Sequence, residues 1–161
     1  MPKKEETGTL LSCRPAIRVL DATLRDGGLV NDFRFSDEFV RALIAANAAA
    51  GVDYMELGYK ADADLFDREK FGKWKFCREE EIVPVIGENK TEMKFSCMAD
   101  VGRCNFTRDI CQKADSPFDM YRIATYINTI PAAIEMIEYC EKMGYETTVN
   151  IMAVSRETEK E

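Results

Sequence analysis

The stretch Leu20-Asp21-Ala22-Thr23-Leu24-Arg25-Asp26-Gly27-Gly28 holds the residues of this chain best suited to chemistry. A hard divalent cation prefers carboxylate oxygen, which Asp26 offers. A guanidinium next to that carboxylate, here Arg25, can hold the second oxygen of a bound 2-oxo acid or of the enolate formed from it. Gly27 and Gly28 permit a sharp bend, so the string reads as a strand running into a two-glycine turn that brings Arg25 and Asp26 to one mouth. The bland alternative for a lone R-D-G-G is an exposed ion pair at a strand end.

The rest of the composition narrows the chemistry. The chain has 161 residues, 22 basic and 29 acidic, a net charge of -7 and no histidine. Without an imidazole, a Ser-His-Asp triad, a Cys-His pair or an H-E-x-x-H zinc site cannot be assembled from these residues alone. Proton transfer then falls to carboxylates, Lys, Tyr, Cys or water. The acidic surplus opposes a nucleic-acid footprint, which needs clustered Lys and Arg. No apolar run has the length of a signal peptide or a membrane span, and the expectation is a cytoplasmic protein. The six cysteines include no C-x-x-C pair, which points to reduced thiols. Cys97, Cys104 and Cys111 recur at every seventh residue, but they are divided between a strand-like segment and the connection after it, so they share no helix face. Burial as small apolar groups is the preferred reading over metal ligation.

The elements that must position Arg25 and Asp26 come in a repeated order. Apolar segments at 17–24, 54–59, 94–101, 120–127 and 147–154 read as strands, with helical or charged stretches between them. In the first crossover Ser36 suits an N-cap, Asp37 and Glu38 suit a helix start, and Gly51 stops the helix. In the last, Thr129 is a candidate cap, Pro131 sits in the first turn and Gly144 ends the run. Residues 60–92 form a longer charged connection with Phe66, Phe71, Trp74 and Phe76. It reads as one or two short helices packed by aromatics rather than as a substrate lid.

Strand and crossover repeated imply a parallel sheet. Strands recur about every 32 residues, near the roughly 31 obtained by dividing a ~250-residue barrel by eight. A five-stranded open sheet fits the same spacing. Parity sets Glu56 and Gly58 against Met55 and Leu57, and Arg122 and Ala124 against Ile123 and Thr125. Charge on one face of a buried parallel strand calls for either a polar site or Arg-carboxylate pairs filling a barrel interior.

The string D-x-T-L-R-D-G on the first strand resembles the signature of the metal-dependent aldolases and acyltransferases that include HMG-CoA lyase, isopropylmalate synthase, homocitrate synthase and 4-hydroxy-2-oxovalerate aldolase. Gly51-Val-Asp-Tyr-Met-Glu56-Leu-Gly58 is similar to the second strand of that group. The run from Tyr121 through Tyr126, Ile134 and Gly144 to Ser155 is similar to the fourth strand, fourth helix and fifth strand of the 4-hydroxy-2-oxovalerate aldolases. The resemblance spans 17–155. It implies an α/β fold, a partial (β/α)8 TIM barrel of about five parallel strands with crossover helices, after a 1–16 N-terminal extension and before a 156–161 charged tail.

By the same resemblance Arg25 is the catalytic, enolate-stabilising arginine, Asp26 a ligand of Mn2+ or Mg2+, and Glu56 and Ser155 substrate-binding positions, Glu56 lying near the metal. Two further ligands in that group are histidines of an H-x-H pair on a later strand, absent here. The 4-hydroxy-2-oxovalerate aldolases carry a histidine base at the place occupied by Leu29, so the general base is unassigned. The expected activity is a carbon-carbon lyase or aldolase on a 2-oxo acid such as pyruvate, in a truncated or split form completed by another subunit or the missing C-terminal half of the barrel. A noncatalytic half-barrel that docks with a partner subunit is the alternative. A nucleotide-binding open sheet lacks the G-x-G-x-x-G or P-loop string it would need.

Overall fold

The computed structural model describes residues 17–156; the expected extension at 1–16, Cys13 and nearly all of the charged tail lie outside them. Five parallel strands form one sheet: β1 (Leu20–Asp21), β2 (Tyr54–Tyr59), β3 (Lys94–Asp100), β4 (Met120–Thr125) and β5 (Glu146–Ile151). Their spatial order is their chain order. A doubly wound open sheet reverses its strand order at a switch point. The order here runs in one direction, as in a barrel wall, and the sheet curls into a half-barrel.

The expected strands at 54–59, 94–101 and 120–127 match β2, β3 and β4 closely, and β5 starts one residue early and stops at Ile151. The first strand is the exception. Instead of extending to Leu24 and bending at a glycine turn, the chain leaves β1 after Asp21 and enters helix α1 (Thr23–Asn31), which contains Arg25, Asp26, Gly27 and Gly28. Asp21 causes the switch locally: its carboxylate accepts from the Thr23 backbone N–H at 3.2 Å and from the Thr23 hydroxyl at 2.7 Å, an Asx contact that starts the helix. Close packing requires the glycine at position 28, where a Cβ would lie 2.2 Å from the Phe33 ring. The helix ends through two left-handed residues, Asp32 (φ 55°) and Phe33 (φ 61°), with the Phe33 N–H returning to the Gly28 carbonyl. Period-2 alternation therefore stops at Asp21, and Thr23 and Arg25 are placed by the turns of α1 instead of by a strand face.

Helix α2 (Asp37–Ala50) begins as expected, with Ser36 Oγ accepting from the Phe39 N–H at 3.2 Å, and ends on Gly51 at φ 73°. The 60–92 connection carries a 3-10 turn at Lys73–Lys75 and helix α3 (Glu79–Ile86), packed by aromatics as its composition suggested. A single turn, α4 (Phe106–Asp109), comes after β3. Helix α5 (Ile130–Lys142) has Pro131 in its first turn, but the Thr129 hydroxyl bonds Thr125 and Tyr126 rather than capping it. Met55, Leu57, Phe95, Cys97, Tyr121 and Ile123 are buried on the outer face of the sheet in one apolar cluster with Val40, Ile82, Ala133, Met136 and Cys140 of the helices. No helix among the described residues is long and apolar enough to cross a membrane.

Register sorts the other face. Glu56 pairs with Ser96, Met98 with Arg122 and Asp100 with Ala124, so these side chains share the concave side. The register slips between Glu56 and Tyr59, and Tyr59 pairs with Met98. This bulge places Glu56 and Tyr59, three residues apart, on the same inner face.

Candidate functional site

The carboxyl ends of parallel strands are where barrel enzymes build their sites, and three of the four expected positions meet there. Glu56 is fully buried on β2. Its Oε2 accepts from Arg25 Nε at 2.8 Å and from Arg122 Nη1 at 2.9 Å, while Arg25 Nη1 also donates to Asp26 Oδ1 at 2.8 Å. Burial pushes the Glu56 carboxyl above its ordinary range, against the pull of the two guanidiniums. For Arg25 burial opposes the charge, yet the Glu56 bond outweighs it and its pKa is raised. The Arg-carboxylate network that parity allowed as a filling for a barrel interior is thus present, and it reaches the rim through Arg25.

The network is incompletely satisfied. Glu56 Oε1 and Ser96 Oγ, neighbours in one register row, are buried without a hydrogen-bond partner among the described residues. Most buried polar atoms are paired, so two orphans in one row mark a place where function competes with packing. Asp26 is 68% exposed, with its second oxygen free of bonds within the described chain. Ser155 lies on an exposed turn (Val154–Arg156) after β5 and makes no hydrogen bond to this cluster. Leu29, the place of the histidine base in the resembled enzymes, is apolar and 59% exposed on α1.

A divalent cation requires several converging donors. Among the described residues no three His, Cys, Asp or Glu side chains gather in that way, and Asp26 is a single donor. These residues do not by themselves fit a metal site. The three cysteines at seven-residue spacing are not gathered either: Cys97 Sγ bonds the Gly58 carbonyl inside the core, and burial raises the pKa of both Cys97 and Cys104.

Two groups at the rim were not singled out from the sequence. Asp100 ends β3 with Oδ1 buried and without a hydrogen-bond partner among the described residues. Lys75 is only 7% exposed, and its Nζ lies 4.4 Å from the Tyr59 ring centroid, 4.5 Å from Phe66, 5.1 Å from Phe33 and 5.8 Å from Phe71. A polar residue closing an apolar strand was the available signal for Asp100. Lys75 sits in a charged connection whose fold no periodicity reveals. A cavity of about 180 Å3 at this rim is lined by Tyr59, Asp100, Arg103, Thr125, Tyr126 and Met152, among others. Its size suits a small acid better than a cofactor.

No protein-family model matches the chain. It is 26% identical over 150 residues to 4-hydroxy-2-oxovalerate aldolase 6 of Rhodococcus jostii, covering 92% of this chain and 41% of the relative. To the 4-hydroxy-2-oxovalerate aldolase of Pelotomaculum thermopropionicum it is 27% identical over 150 residues, covering 91% of this chain and 42% of the relative. The chain thus spans about two fifths of the length of these curated relatives. Among solved structures it superposes with a TM-score of 0.74 and 25% identity on the N-terminal domain of a Bacteroides vulgatus protein described as an aldolase, covering 89% of this chain and 48% of that one. The curated homologues of the chain are thus 4-hydroxy-2-oxovalerate aldolases and its fold matches an aldolase N-terminal domain, consistent with the metal-dependent aldolase and acyltransferase superfamily that its D-x-T-L-R-D-G string resembles.

Proposed function

We propose that the chain supplies the N-terminal part of the barrel of a divalent-metal-dependent carbon-carbon lyase or aldolase acting on a 2-oxo acid such as pyruvate through its enolate. The observation that carries this reading is Arg25, a guanidinium fixed at the rim by a fully buried carboxylate on β2 and aligned beside the exposed Asp26. A preoriented cation of this kind stabilises negative charge as it develops on oxygen, with little reorganisation during the reaction. Glu56 holds Arg25 and Arg122 in place, and Ser155 is a further substrate contact in this reading. Mn2+ or Mg2+, whose remaining donors would have to come from outside the described residues, would supply polarisation of the keto oxygen. Asp26 is the one ligand assigned to it here, so the chemistry is derived from the chain's own side chains.

The strands β1 and β5 are the edges of the described sheet, and Val19, Val149 and Ile151 near or on them are exposed. Unpaired edges with apolar side chains favour further strands. In this reading those come from the remaining part of the barrel or another subunit. The same edges support the second reading, a noncatalytic half-barrel docked on a partner subunit.

Oxalate, a planar dianion resembling the enolate of pyruvate, separates the two. Calorimetric titration of the chain with oxalate and Mn2+ should show binding that Arg25→Ala weakens about tenfold or more, the loss expected for a charge-assisted contact. Asp26→Ala should weaken Mn2+ binding. Binding unchanged in both variants, or no oxalate binding beside a stoichiometric protein complex, would decide for the docking module.

A further inference from the structure

Forming an enolate from a 2-oxo acid requires a base, and this chain has no histidine. The carboxylates near Arg25 are accounted for with one exception. Asp21 is committed to starting α1, Asp26 pairs with Arg25, and Glu56 is locked between two guanidiniums. Asp100 alone makes no side-chain hydrogen bond or salt bridge among the described residues, although one of its oxygens is buried.

Its placement is specific. Asp100 is the last residue of β3 and continues the inner-face row of Ser96 and Met98 to the rim. It lines the 180 Å3 cavity together with Tyr59, whose ring lies 6.0 Å from Arg25 Cζ and 4.4 Å from Lys75 Nζ. Tyr59, Asp100 and Arg103 also wall the narrow crevice beside Lys75, so the carboxylate stands between the caged ammonium and the open cavity.

We propose that Asp100 is the general base of the site and that Lys75, held in its cage of aromatic faces, is a positioning residue that sets the charge opposite it. The proposal rests on the 2-oxo acid reading above. In the step assigned to it, an Asp100 oxygen takes a proton from C3 of the bound acid. The C3–H electron pair becomes the C2–C3 double bond, and the keto π pair moves to the oxygen faced by Arg25. Reprotonation of C3 by the same carboxyl reverses the step. In the cleavage direction the carboxylate takes the proton of the C4 hydroxyl, the C3–C4 bond breaks and its electrons enter the same enolate.

The local field suits the task. Burial raises the Asp100 pKa, while Lys75, Arg103 and Arg25 draw it down. Burial in turn lowers the pKa of Lys75. The groups surrounding Asp100 are Arg25 of α1, Tyr59 of β2, Lys75 of the 3-10 turn, Arg103 of the turn after β3, and the uncharged Ala124, Thr125 and Tyr126 from β4 and its end.

Exchange of pyruvate C3 hydrogens in D2O, monitored by proton NMR with the full chain and diamagnetic Mg2+, isolates the step without requiring carbon-carbon cleavage. The wild-type chain should exchange above buffer. Asp100→Asn should slow exchange by about a hundredfold or more, the lower end for general-base catalysis, with oxalate affinity retained. Lys75→Met should keep oxalate binding and move the pH midpoint of exchange upward, because a cation facing Asp100 is removed. Exchange within twofold of wild type in Asp100→Asn overturns the assignment, as does a wild-type chain that binds oxalate without exchanging. An unmoved midpoint in Lys75→Met removes Lys75 from the proposal. Absence of oxalate binding in the wild-type chain falls instead on the functional reading, and takes the inference with it.

Discussion

Glu56 and Lys60 lie four residues apart along and just past β2, each almost wholly buried, and their charges are compensated in opposite ways. Lys60, 2% exposed, donates to both Glu79 oxygens at 2.8 and 2.7 Å and to the Cys77 carbonyl at 2.9 Å, which uses all three of its protons. Glu56 faces two guanidiniums through one oxygen and leaves the other without a partner among the described residues. The first is a closed structural clamp joining β2 to the start of α3. The second leaves an open acceptor beside two guanidiniums, as expected where a ligand will complete the set. In this pair the fully satisfied charge belongs to the scaffold and the unsatisfied one to the candidate site.

Four variants would break or sharpen that contrast. Glu79→Ala strands a buried ammonium and should cost about 3–5 kcal/mol in urea unfolding, the largest loss here. Glu56→Gln keeps one acceptor for the arginines and should cost about 1.5–3 kcal/mol, with oxalate binding lost as well; a stability loss with intact binding would recast Glu56 as scaffold. Lys60→Met fills the same volume and leaves Glu79 able to reach solvent, so the change should be under about 1.5 kcal/mol. Asp100→Asn should have the opposite sign. Burial raises the folded-state pKa of Asp100, so its contribution to stability is fully present below the ordinary carboxylate pKa and is lost as pH rises through the raised one. The amide removes that penalty, so the variant should unfold at higher urea than wild type at pH 7, an advantage that vanishes on acidification.

Much of this was legible in the residues. The periods of β2, β4, α2 and α5, the Ser36 cap and the Gly51 stop depend on contacts within a few positions, which sequence records directly. The end of β1 misleads because two glycines after an apolar run normally signal a turn, whereas here the Asp21 contact to Thr23 and the Phe33 ring on Gly28 favour a helix. Arg25, Asp26 and Glu56 were found by type and motif, and the structure brings them together. Ser155, drawn from the same resemblance, lies on the exposed turn after β5 and makes no hydrogen bond to them. Asp100 and Lys75 escaped because their significance depends on long-range neighbours: an aspartate at a strand end is ordinary until its oxygen proves unpartnered, and a lysine in a charged loop is ordinary until four rings surround it.

The irregularity in β2 has a bearing on which insertions this molecule can absorb. At Gly58 the strand backbone comes so close to the Trp74 carbonyl that a Cβ would fall 1.9 Å from it. That close approach acts as a keyway, seating the turn that carries Lys75 directly on the strand and fixing its height above Tyr59. Length variation among relatives should therefore collect on either side of 72–77, leaving the seated segment constant in size, and any side chain added at Gly58 would unseat Lys75 before it disturbed Arg25.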